Sequence, residues 1–89
     1  MKTSDGKTHT PEEIQRAREI VADDWAENAR AIRREDPYAS HVTEAEKDAY
    51  LAEGLAYAES VRQGTAKGSF TLWQRLNEVL TGECVALLP

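Results

Sequence analysis

The sequence predicts an all-α fold: a compact three-helix domain with an apolar C-terminal tail. Three observations predict it. A threonine followed three residues later by Glu or Gln marks the start of three segments, at Thr10/Glu13, Thr43/Glu46 and Thr71/Gln74, which is the spacing of a helix capping box. Within those segments apolar residues recur three and four apart. No segment sustains the polar–apolar alternation of a strand, so no sheet is expected.

The first helix is expected over 11–35. Thr10 caps it, and Pro11 sits where a missing N–H is harmless. Asp36-Pro37 stops it, because the residue before proline is pushed out of the α region. At 100° per residue, Ile14, Val21, Trp25 and Ile32 fall within about 20° of one line. Ala17, Asn28 and Ala29 flank that line, and Arg16, Asp23, Arg30 and Arg34 lie opposite. Glu12 and Glu13 open the helix and Arg33 and Arg34 close it, each complementing the helix dipole.

The second helix is expected over 43–63. Tyr50, Leu51, Gly54, Leu55, Tyr57, Ala58 and Val61 spread over roughly 160° of its surface. A face that broad touches two neighbours, so this helix is expected to be the central element. Gly54 costs about 1 kcal/mol relative to Ala in a helix interior, and close approach of another helix is the reason expected for it. Gly64 ends the helix, with Gly68 close behind.

The third helix is expected over 70–81, with Leu72, Trp73, Leu76, Val79 and Leu80 on its apolar stripe and Gly82 as its terminator. Trp25 and Trp73 lie mid-stripe and are read as core anchors. The tail Glu83-Cys84-Val85-Ala86-Leu87-Leu88-Pro89 is too apolar for a solvated end. It is expected to restart as a short fourth helical turn and to pack on its own core or on a second copy, the latter giving a homodimer. Residues 1–9 are expected as a flexible N-terminal segment and 10–89 as a single helical domain.

Composition narrows the function. Of 89 residues, eleven are Lys or Arg and sixteen Asp or Glu, for a net charge of −5. A protein that coats nucleic acid by neutralising phosphates needs the opposite sign. No apolar run reaches the roughly 18–20 residues that span a membrane, and no secretory signal opens the chain, so a cytoplasmic protein is expected. The single cysteine, Cys84, excludes an internal disulfide and a cysteine-built zinc site, and it reads as a small buried hydrophobe. His9 and His41 read as loop histidines rather than metal ligands. Gly64-Thr65-Ala66-Lys67-Gly68-Ser69 does not match a phosphate-binding loop. The paired carboxylates Glu12-Glu13, Asp23-Asp24 and Glu35-Asp36 read as solvated surface. No nucleophile–base pair or cofactor motif is present, so no cofactor, no metal and no enzymatic activity are expected.

The acidity is uneven. Residues 11–36 carry five positive and eight negative charges, a net of −3, and residues 43–63 carry two and five, again −3. Residues 64–89 balance at zero. The expectation is a non-catalytic binding protein that docks on another macromolecule with a basic surface, such as an inhibitor or adaptor of nucleic-acid-handling machinery of phage or mobile-element type. Asp23, Asp24 and Glu27 are the expected acidic contacts, with Tyr38 and His41 in the following loop as less polar ones. The alternative is a helix-turn-helix regulator built from 43–63 and 70–81, in which Thr71, Gln74, Arg75 and Asn77 would reach DNA. The connection between those helices is longer than the motif's usual three to four residues.

Overall fold

The computed structural model describes residues 1–83. Three helices form, α1 (Pro11–Glu35), α2 (Glu44–Gln63) and α3 (Phe70–Thr81), and no strand is found among the described residues. The readings of the tail as a fourth helical turn, of Cys84 as a buried hydrophobe and of a tail-mediated dimer fall on 84–89, outside the described residues.

Both predicted capping boxes of α1 and α2 form. The Thr10 hydroxyl accepts the Glu13 N–H, and the Glu13 carboxylate accepts the Thr10 N–H; Thr43 and Glu46 do the same. The cap of α3 differs from expectation. Ser69, not Thr71, accepts the N–H of Leu72, so the helix begins two residues earlier than the Thr71/Gln74 pair implies. Asp36 ends α1 in the left-handed region at φ 54°, a conformation that Asp tolerates better than most non-glycine residues.

The centre of the fold is α1, not α2. Helix α1 approaches both α2 and α3 closely, whereas no Cα of α2 lies within 8 Å of one of α3, and those two helices meet only in the shared side-chain core. The reason lies in small residues. Ala17, Val21, Ala22 and Ala26 are the buried positions of α1, and they span more of its circumference than the Ile14/Val21/Trp25/Ile32 line. Alanines spread around the helix let two partners lie close on two sides. The buried positions of α2 are confined to a narrower seam of Lys47, Ala58 and Val61, and its aromatic residues flank that seam.

The seam is set by backbone proximity. A Cβ placed on Gly54 would stand 2.9 Å from the Cβ of Ala29, closer than packed carbon atoms come. Further toward the α2 C-terminus, Gln15 Nε2 donates to the Arg62 carbonyl at 2.7 Å. The main core cluster follows where all three helices meet: Ala17, Val21, Ala22, Val61, Leu72 and Leu76, with Trp25, Tyr57, Ala66 and Leu80 packed against it.

Three expected core residues are instead exposed: Ile32 at 38%, Tyr50 at 48% and Val79 at 37%. Helix α1 has 25 residues and α3 only 12, about 37 Å against about 18 Å at 1.5 Å per residue. The α1–α2 hairpin therefore runs on past the end of α3. Ile32 and Tyr50 belong to that uncovered length.

Residues 1–9, expected as a flexible segment, are tied to α3 at Lys2 and Ser4. The Trp73 indole N–H donates to the Lys2 carbonyl at 2.9 Å. Asn77, 0% exposed, accepts the Ser4 N–H at 2.8 Å and donates to the Ser4 hydroxyl at 2.9 Å. The Ser4 hydroxyl in turn bonds the Glu83 carboxylate. A buried amide needs such partners, and Asn77 draws them from both ends of the described chain.

Two outcomes test this packing. Gly54→Ala, which would raise the stability of an exposed helix, is expected here to lower it by about 1–3 kcal/mol through overpacking. Adding Ala29→Gly should recover most of that loss in urea denaturation. Asn77→Ala is expected to cost about 1–3 kcal/mol, because the Ser4 amide loses its acceptor, and amide exchange at Ser4 should accelerate.

Candidate functional site: the charged surface and the α1–α3 cleft

The predicted contact residues do not form one patch. Asp23 accepts a bond from Arg62 across the α1–α2 seam at 2.5 Å. Glu27 pairs with Arg34 at 3.1 Å on α1 itself. Asp24 makes neither kind of contact. Consecutive residues of a helix point about 100° apart, so Asp24 faces α3 while Asp23 faces α2. Two of the three carboxylates are thus held by cations, and the third belongs to another surface.

Tyr38 and His41 lie beyond the C-terminus of α1. Asp23 stands twelve residues before the end of that helix, about 18 Å along its axis. Tyr38 stacks on Tyr50, with ring centroids 6.0 Å apart, and the Lys47 ammonium stands 5.8 Å from the Tyr38 ring. Tyr38 therefore serves the packing of the hairpin end. His41 is exposed on the turn.

A charged lattice closes the same hairpin, and sequence reading missed it. Arg33 donates to Glu44 at 2.6 Å and to Asp48 at 3.0 Å. Lys47 reaches Asp36 at 2.8 Å and Glu44 at 3.1 Å. Glu44 is the shared member. Its hydrogen bonds from Arg33 and then Lys47 hold its carboxyl below the ordinary value. Those to Asp36 and then Glu44 raise Lys47, and those to Glu44 and then Asp48 raise Arg33. The signal was present as a basic last turn of α1 facing an acidic first turn of α2, which dipole arguments alone had already explained.

His9 is also placed differently from its reading as a free-end residue. Its side chain is 7% exposed, with Asp5 at 3.8 Å, Glu13 at 3.7 Å and the Thr3 hydroxyl at 3.2 Å. Asp5 is held below the ordinary carboxylate value by its hydrogen bond from Thr3, then by the Lys7 N–H. The N–H and hydroxyl of Thr10 lower Glu13 in the same direction. These groups join the N-terminal segment to the start of α1. No group of three or more His, Cys, Asp or Glu side chains suited to a metal ion occurs among the described residues.

A helix-turn-helix joins its two helices by three to four residues, whereas residues 64–69 separate α2 from α3 and no Cα of one lies within 8 Å of the other. Of its candidate reading residues, Asn77 is buried and occupied with Ser4, while Thr71 and Arg75 line a cleft against α1.

That cleft has a volume of about 690 Å³. Val21 and Trp25 of α1 and Val79 of α3 give it an apolar lining, and Asp24, Arg75 and Glu78 surround that lining with charge. None of these three charged side chains forms an ion pair with a described residue. Trp25 is fixed from behind by Tyr57, edge to face at 5.0 Å. Against known proteins, the chain matches no family model, no curated protein and no solved structure.

The lowered carboxyls predict an acid transition with a definite sign. A group whose folded pKa lies below its unfolded one adds stability above the unfolded value, near pH 4 for a carboxylate, and loses it as pH falls through the folded value. Melting temperature is therefore expected to fall below about pH 4 as Asp5, Glu13 and Glu44 protonate. In Thr10→Ala, which removes one of the bonds lowering Glu13, that fall should be shallower.

Proposed function

We propose that this protein is a non-catalytic binding domain that docks on another protein through an acidic surface, acting as an inhibitor or adaptor. One observation carries the reading. Both cations of α2 are spent on carboxylates: Lys47 on Asp36 and Glu44, and Arg62 on Asp23 and Glu59. The exposed carboxylate of Glu53 then stands with no ion pair to a described residue. Around it Ala45, Ala49, Ala52 and Ala56 are exposed at i, i+4, i+7 and i+11, a helix face without long side chains to fend off a partner. An uncompensated negative field over a smooth face favours encounter with a positive surface. Nucleic-acid-handling proteins carry such surfaces for phosphates, which makes their basic channels the favoured partner class.

The reading is tested by capture from the native host on immobilised protein. The expected partner is basic, is released by salt and is unaffected by nuclease. Reversing the unpaired charge in Glu53→Lys should weaken capture and reduce its salt dependence, with circular dichroism unchanged. Capture that survives the charge reversal, or that nuclease abolishes, overturns the reading.

A further inference from the structure

We propose that the α1–α3 cleft is the docking site for a basic, apolar segment of a partner protein, one that inserts an aliphatic or aromatic side chain flanked by Lys or Arg. The inference rests on the reading of this chain as a protein-binding domain and adds to the α2 face a second point of contact with the partner.

The cleft exists because the fold is short of a layer. Helix α1 is flanked by two helices whose backbones stay more than 8 Å apart, Cα to Cα, and Trp25 is left half-buried between them, supported on one side by Tyr57. A large aromatic residue held rigid and only half covered is the kind of anchor that dominates binding energy at protein interfaces. The indole N–H of Trp25 makes no hydrogen bond to a described residue, whereas that of Trp73 is used on the Lys2 carbonyl. Trp25 therefore offers an apolar face together with an unused donor, suited to a carbonyl oxygen of an incoming chain.

Charge decides the occupant. Asp24 enters from α1 and Glu78 from α3, neither in an ion pair, and Arg75 is the one cation among the lining residues. Each wall carries one carboxylate, and the α3 wall sets Arg75 against Glu78, so the lining nets −1 with the excess at Asp24 beside Trp25. A second copy of this chain brings a net charge of −5, and a nucleic acid brings phosphates; both are repelled. An enclosed small-molecule site is also a poor fit, since the cleft is open and edged by charged groups rather than closed over its ligand. A protruding apolar side chain with a basic neighbour satisfies the lining, both carboxylates and the free indole N–H together.

Titration of the isotope-labelled chain, followed by amide and indole resonances, tests this with three synthetic helical peptides: Leu/Lys, Leu/Glu and Ser/Lys. The Leu/Lys peptide is expected to shift the Trp25 indole, the Asn28 side-chain amide and the Val79 amide, leaving the Trp73 indole in place. The other two peptides should bind at least about tenfold more weakly. Asp24→Asn/Glu78→Gln, at exposed positions, should weaken Leu/Lys binding by roughly three- to tenfold, the range for two partly exposed ion pairs, with unchanged melting temperature. Shifts confined to the outer face around Glu53 overturn the cleft proposal and leave the binding-domain reading standing. Equal binding of Leu/Glu, or no binding of any peptide at millimolar concentration, overturns the cleft. Cleft shifts that grow with protein concentration alone assign it to a second copy. Cleft shifts induced by a DNA duplex overturn both readings.

Discussion

The fold depends on how closely α1 and α2 approach at Ala29 and Gly54. With a methyl group of Ala29 opposite Gly54, the space between the two backbones has no room for a second Cβ. That proximity fixes the rotation of each helix about its axis. It turns Lys47 and Val61 of α2 inward, brings Arg62 over Asp23, and aligns the basic end of α1 with the acidic start of α2. The charged lattice of the hairpin end is a consequence of that register. Exposed ion pairs contribute little on their own, and this network fastens an arrangement that packing has already selected.

The second dependency is the use of alanine at the centre. Large side chains would give α1 a single greasy stripe and one partner. Ala17, Ala22 and Ala26 instead give it two shallow seats, and the large residues stand at the margins. This explains why a small core coexists with half-exposed Trp25, Tyr57 and Trp73. It also explains the cleft, since α2 and α3, seated on separate flanks, leave a gap over the residue between them.

The helices, their capping boxes at Thr10 and Thr43, their stops at Asp36, Gly64 and Gly82, and the reason for Gly54 were all legible in the sequence. These are local matters, decided within a few residues. What periodicity misjudged was rank. Breadth of apolar face pointed to α2 as the centre, but a face made broad by tyrosines differs from one made of alanines, because only the latter admits two neighbours at close range. The exposure of Ile32 and Tyr50 was hidden for a related reason. A stripe shows which side of a helix is apolar but not how far along it a shorter neighbour reaches. The acidic triad failed on angle: Asp23 and Asp24 are adjacent in sequence and face different helices. Asn77 carried no local mark at all. Its partners, Ser4 and Glu83, lie 73 residues before it and six after it.

That long span has a kinetic and dynamic consequence. The α1–α2 hairpin closes through a short turn, whereas joining Ser4 to Asn77 closes nearly the whole chain, and the entropy of closure grows with the length enclosed. The strap formed by residues 1–9 is thus the natural last step of assembly and the natural first step of opening. Its few hydrogen bonds can release while the hairpin stays intact, a sub-global opening of low free energy. In the opened state the flank of α3 bearing Trp73 and Asn77 faces water while the opposite flank, bearing Arg75 and Val79, is undisturbed. Release of the strap would thus alter one side of one helix and leave the other as it is.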